Sequence, residues 1–168
     1  MIMPKIMLVC GKICSGKTTY SKRLATENNA VILSVDEITI ALFGQRICEK
    51  HDEMVERTEK YLLKKAVEIY DVGVDVIFDW GFWQAADRQF ITNHFKDKNI
   101  EIEWHYVNVC DDTWKQNLEK RNGRITSGQD NFYYIDENIA AKFDLMFEVP
   151  NRNEIDIWYE NNWAKESV

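Results

Sequence analysis

Apolar residues along the chain fall into two kinds of pattern, and the two alternate. Short unbroken runs occur at "KIMLVC" (residues 5–10, bounded by Pro4 and Gly11), "AVILSV" (30–35) and "VDVIFD" (74–79). Runs this short, with no polar alternation, suit strands covered on both faces. "IEIEWHYVNV" (100–109) reads as a fourth strand, its first half alternating, and "EIDIWY" (154–159) as a fifth. Between the runs lie segments of helical character. "TTYSKRLATENN" is polar, helix-tolerant and ends at asparagines. "HDEMVERTEKYLLKKAVEIYDVG" places Val55, Leu62, Ala66 and Ile69 on one face, with Gly73 where a helix C-terminus needs it. "QAADRQFITNHFKDKN" puts Phe90, Ile91, His94 and Phe95 on one stripe. "DDTWKQNLEKRNG" reads as a capped helix ended by Gly123, and "YIDENIAAKFDLMF" repeats Ile135, Ile139 and Phe143 at helical spacing.

Strands alternating with helices predict an α/β fold, a parallel sheet with helices on both faces. Ligands of such sheets bind beyond the carboxyl ends of the strands, near the switch point. A glycine loop, Asp36 and Asp79 each stand where a predicted strand ends, so three polar features converge on one rim. There are no internal repeats, low-complexity tracts or Pro/Gly/Ser linkers. Residues 1–168 are therefore expected to form one domain.

Composition changes this picture little, since 45% apolar and 29% charged residues are ordinary for a globular chain. No apolar run approaches the roughly 20 residues needed to span a bilayer. The opening residues lack a charged segment ahead of the apolar part, so they read as a strand rather than a secretory leader, and the expected compartment is the cytoplasm. Cys10, Cys14, Cys48 and Cys110 form no CxxC and pair with no nearby His, which reads as free thiols. His51, His94 and His105 have no metal spacing and read as structural. The net charge of −7 argues against a general nucleic-acid binder.

"GKICSGKT" (11–18) carries the specific chemistry, because it spells GxxxxGK[ST] between a strand and a helix. Phosphate is an anion with several acceptor oxygens, and it needs many donors and little steric bulk. Backbone amides of Gly11, Lys12, Ile13, Cys14, Ser15 and Gly16 can curl around it, the glycines permitting positive φ. The helix beginning near Lys17, through Thr18 and Thr19, adds unpaired N–H groups and the positive end of its dipole. Lys17 would bridge the β- and γ-phosphates, and the Thr18 hydroxyl would ligate Mg²⁺. The loop is read as a P-loop. No guanine-reading NKxD stretch occurs, which favours ATP.

The order of P-loop, "SVDEI", "VIFDWGFW", "ADRQ", "HYVNV", "EKRNGR" and "FEVP" resembles the small AAA-like ATP-binding kinases. These sit near chloramphenicol phosphotransferases, zeta toxins, and polynucleotide and gluconate kinases. The likeness runs from about Lys5 to Trp158. It implies a three-layer α/β/α P-loop NTPase fold with a five-stranded parallel sheet and a small helical lid, here about residues 121–134. It also implies γ-phosphoryl transfer from Mg-ATP to a hydroxyl.

By that resemblance Asp36 accepts the proton of the attacking hydroxyl, as a base within hydrogen-bond reach of the acceptor would. Its alternative role is an N-cap for "EITIALFG". Asp79 follows an apolar run in the manner of a Walker B acid, and would hold Mg²⁺ through water, orient the acceptor, or cap the next turn. Arg121 and Arg124 stand where the family carries lid arginines, which neutralise charge on the transferring phosphoryl group. As helix C-terminal cations they are also favourable on their own. Trp80, Phe82 and Trp83 read first as packing and second as a stacking surface for an acceptor. Arg88 fits the family by resemblance and equally fits a surface salt bridge. Kinases of nucleotide or nucleic-acid ends often carry an arginine soon after the base, whereas here nothing basic follows Asp36 until Arg46. A small neutral or cationic hydroxyl compound is therefore the expected acceptor. The rival readings are an ATP-dependent regulatory switch and a zeta-like toxin acting on a nucleotide sugar.

Overall fold

A computed structural model describes residues 3–44, 51–130, 132 and 134–161. Cys48 and Arg46 lie outside the described residues. The chain runs β1 (Ile6–Cys10), α1 (Lys17–Asn28), β2 (Val31–Leu33), α2 (Val35–Phe43), α3 (His51–Asp71), β3 (Val76–Asp79), α4 (Ala85–Lys96), β4 (Ile102–Val109), α5 (Asp111–Thr126), α6 (Glu137–Met146) and β5 (Ile157–Asn161). The five strands form one all-parallel sheet in the order β2-β3-β1-β4-β5. The expected α/β architecture is therefore the observed one. β1 occupies the centre, and the chain passes over it between β3 and β4, which makes its carboxyl end the switch point.

Both faces of the sheet are buried, and this accounts for the unbroken apolar runs. On one face Ile6, Leu8 and Cys10 of β1 join Val76 and Phe78 of β3, under Leu62, Leu63 and Ala66 of α3 and Ile91 and Phe95 of α4. On the other face Met7, Val9, Ile77 and Val107 meet Tyr20, Leu24 and Ala25 of α1. All five residues of β1 are at most 1% exposed. Burying a side chain of this size stabilises by about 1.5–3 kcal/mol, so a polar substitution anywhere in β1 would cost much of the fold's stability.

Several boundaries differ from the sequence reading. β2 stops at Leu33 because the Ser34 hydroxyl accepts from the Glu37 amide (3.3 Å) and caps α2, which draws Val35 into the helix. Ser34, not Asp36, is thus the N-cap. Gly123 does not end α5, which continues to Thr126 with the glycine inside it. α6 begins after Asp136, whose side chain caps it by accepting from the Ile139 amide (2.8 Å). Ile135 is consequently buried ahead of the helix while Ile139 is over a third exposed, and the two do not share a stripe. Phe90 also leaves its expected stripe, pointing to solvent while Ile91 and Phe95 fill the core. β5 starts at Ile157 because Asn151 and Glu154 close a short 3-10 turn in front of it.

Arg88 is not a surface residue. It is 3% exposed, and its guanidinium reaches Glu154 (3.1 Å) and the carbonyls of Phe82 and Glu148 (3.1 Å each). It thereby ties the start of α4 to the segment leading into β5. Arg88→Met would leave two carbonyls and a carboxylate without their donor. The expected loss is about 3 kcal/mol of stability, read as a lower urea midpoint with unchanged slope; an unchanged midpoint would contradict the assignment.

Candidate functional site

The loop from Gly11 to Gly16 leaves β1 and turns sharply into α1. Gly11 (φ 155°), Cys14 (φ 59°) and Gly16 (φ 98°) all have positive φ. A Cβ on Gly16 would stand 2.4 Å from Asn161 Nδ2, so no side chain fits there. Cys14 lacks that freedom, and its left-handed conformation costs of order 1–2 kcal/mol. The N-cap of α1 is Gly16, which has no side chain to satisfy the first amides of the helix, the kind of helix start that can take an anion.

Lys17 begins α1 and folds back over the loop, its ammonium donating to the carbonyls of Gly11 and Lys12 (2.9 Å each). Burial holds this ammonium below the usual lysine range, and the carboxylate of Asp79 is the strongest counter-influence, with Asp36 also acting on it. Asp79 closes β3 opposite Val9 of β1, which places it directly beside the loop. Burial raises its carboxyl above the usual range, while Lys17 and the Thr18 and Ser21 hydroxyls act in the other direction. Ser21 Oγ, although facing this acid, makes no well-formed hydrogen bond. Asp36 lies in the first turn of α2, exposed, with its charge registering at both Lys17 and Asp79. Lys17, Thr18, Asp79 and Asp36 are therefore one electrostatic cluster at the carboxyl ends of β1 and β3 and the turn after β2.

The two arginines part company. Arg121 carries its charge to Cys14 of the loop and lies over the Phe132 ring (5.1 Å). Arg124 is mostly exposed and grips Asp130 with two nitrogens (2.9 and 3.1 Å). Between them Asn122 clasps Ile135 through both backbone groups (2.6 and 3.1 Å), closing the base of the excursion from α5 to α6. Lys12, although within the loop, turns outward between Asp111 and Asp144 (3.5 Å each) and over the Trp114 ring (4.6 Å). Ile13 and Cys14 are half-buried and Thr18 and Thr19 exposed.

Trp80 and Phe82 belong to the core, stacked at 5.4 Å beneath Phe78 and Trp104, while Trp83 packs on Phe143 of α6 (4.7 Å). Gly81 is required here, since a Cβ would strike the Trp83 indole at 2.4 Å. His105 is buried between the Tyr20 hydroxyl (2.7 Å) and Glu103 (2.8 Å). A groove of about 460 Å³ between α3 and α4 is lined by Leu63, Val67, Phe90 and His94 among others, and by no residue of the loop. Cys10, Cys14 and Cys110 are free thiols.

Three contacts to the loop have no counterpart in the sequence reading. Trp114 Nε1 donates to the Ile13 carbonyl (2.7 Å), Asn117 Nδ2 to that of Cys14 (3.0 Å), and Asn161 Nδ2 to that of Ser15 (2.7 Å). The partners are more than a hundred residues apart in sequence, so no local motif could reveal them.

Among the described residues no group of three or more His, Cys, Asp or Glu is assembled for a metal. Thr18 and Asp79 suit an ion that takes its remaining ligands from phosphate and water, as Mg²⁺ does. No described helix is long and apolar enough to cross a membrane.

Sheet order, loop and helix together define a P-loop α/β protein of the kinase-like kind. Residues 6–140 match the family model described as AAA domain, and the chain belongs to that family. The fold is shared with a candidate kinase of Chloroflexus aurantiacus (20% identity over 99% of this chain and 92% of that one, TM-score 0.73). It is shared too with the APS kinase of Mycobacterium tuberculosis in complex with AMPPNP and APS (16%, 99% and 96%, TM-score 0.63). A gluconokinase of Sinorhizobium meliloti is a third likeness (11%, 98% and 88%, TM-score 0.62). No curated protein matches the sequence.

The raised carboxyl of Asp79 sets a sign. The folded chain holds this proton more tightly than the unfolded chain, so the associated stability is present below the ordinary carboxylate range and is lost as pH rises through the raised value. Asp79→Asn should melt close to the wild type near pH 4 and above it at neutral pH. A variant that melts below the wild type at pH 7–8 would contradict this.

Proposed function

We propose that the chain is an ATP-dependent phosphotransferase that moves the γ-phosphoryl group of Mg-ATP to a hydroxyl of a small acceptor. The observation that carries this reading is the electrostatic cluster of Lys17, Thr18, Asp79 and Asp36 around the loop. Phosphate binding alone has no use for an exposed carboxylate whose charge reaches the lysine, whereas transfer to a hydroxyl needs a base near the phosphates.

The loop amides and the open start of α1 hold the phosphates, and Lys17 exchanges its loop carbonyls for phosphate oxygens. Mg²⁺ would supply charge neutralisation for the phosphates. Thr18 and Asp79 would be the residues that hold it. Asp36 takes the proton of the acceptor hydroxyl as the freed oxygen bonds to the γ-phosphorus, and the bridging oxygen departs with ADP. Arg121 neutralises charge gathering on the transferring group, and Arg124 steadies the lid through Asp130. The lid would be about residues 121–134, and Asn122 holds Ile135 at its base. The structural likeness to an APS kinase in complex with AMPPNP and APS supports a site that takes a nucleotide and a small acceptor.

Pure protein with Mg-ATP should form ADP slowly alone and faster with a deproteinised metabolite extract. Asp36→Asn should lower the stimulated rate by about 100-fold or more and leave ATP affinity unchanged. Stimulation that survives the substitution would remove Asp36 as the base.

A further inference from the structure

The three remote contacts to the loop do one geometrical thing. A trans peptide is planar, so its C=O and the following N–H point in opposite directions; the described chain contains no cis bond. Whatever fixes a carbonyl therefore aims the next amide. Trp114 holds the Ile13 carbonyl and so directs the Cys14 amide, while Asn161 holds the Ser15 carbonyl and directs the Gly16 amide. Asn117 holds the Cys14 carbonyl, directing the Ser15 amide, which donates to Lys12 O (3.1 Å) and closes the turn inside the loop. Trp114 and Asn117 thus bracket Cys14, the non-glycine residue held in the left-handed region.

Asn161 shows that this arrangement is not mere packing. The residue is 4% exposed at the end of β5, yet among the described residues its Oδ1 has no hydrogen-bond partner. A buried, unpaired amide oxygen costs about 1–3 kcal/mol, which an apolar side chain of the same shape would avoid. What the asparagine adds is its Nδ2 donor, and that donor acts on the loop.

We infer that Trp114, Asn117 and Asn161 are positioning residues of the phosphate site: Trp114 and Asn161 turn loop carbonyls outward so that the Cys14 and Gly16 amides line an anion-binding concavity, and Asn117 fixes the Ser15 amide on Lys12 O, which closes the turn that shapes it. The inference rests on the P-loop reading above. It assigns the shape of the cradle to α5 and β5 rather than to the glycine motif alone. The ligand it concerns is the polyphosphate chain, without reference to base or sugar.

Calorimetric titration of Trp114→Phe, which keeps the ring under Lys12 but loses the donor, and of Asn161→Leu tests it. The probes are Mg-ATP and inorganic tripolyphosphate with Mg²⁺. Each variant should bind both probes about tenfold more weakly, by the same factor for each, with a ligand-free melting temperature near that of the wild type. Asn117→Ala gives a third variant on the α5 side should Asn161→Leu fold poorly. Wild-type affinity for tripolyphosphate in folded Trp114→Phe and Asn117→Ala would overturn the inference while leaving the P-loop reading intact. Wild-type protein that binds neither probe would sink both.

Discussion

The constraint on which this site depends is the turn between β1 and α1. Within six residues the backbone must leave a fully buried strand, take positive φ three times and enter a helix. Glycine makes two of those conformations free of side-chain cost, and the third falls on Cys14. The turn persists because it is held from outside: Lys17 bonds two of its carbonyls, α5 bonds two more, and β5 bonds another. The glycine loop is thereby built into the carboxyl rim of the parallel sheet, at its central strand.

The sheet register supplies the second half. Because Val9 pairs with Asp79, the acid at the end of β3 is set against the start of the loop and the head of α1. Burial there opposes both charges, lowering the Lys17 ammonium and raising the Asp79 carboxyl, although each partly compensates the other. A pair of this kind is weak evidence of stabilisation. Perturbed groups of this kind gather at functional sites, and under the proposed function polyphosphate and a divalent ion would add an opposite charge beside each. α5 links this centre to the excursion between α5 and α6, since one helix carries Trp114 and Asn117 at the loop and Arg121 and Asn122 at the base of that excursion.

The sequence showed the fold well because β1 and β3 are buried on both faces, and such strands announce themselves as unbroken apolar runs bounded by Gly or Asp. It showed the loop because GxxxxGKT is local. Boundaries were lost where a single side chain decided them: the hydroxyl of Ser34 ended β2, and helix continuity overrode Gly123. The sequence leaves Arg88 open between a family position and a surface salt bridge because nothing near "ADRQ" signals the Glu148 carbonyl sixty residues away. Trp114, Asn117 and Asn161 were invisible for the same reason. Their role exists only once α5 and β5 have packed beside the loop.

The central claim is that the loop holds a polyphosphate between Lys17 and Asp36. The most direct measurement is a crystal structure of the protein with Mg²⁺ and a non-hydrolysable ATP analogue. The account predicts the β- and γ-phosphates within hydrogen-bond distance, about 3 Å, of the loop amides and Lys17 Nζ, the ion on Thr18, and Asp36 facing the γ-phosphate across open space. An analogue seated away from the loop, or with its γ-phosphate turned from Asp36, would contradict it.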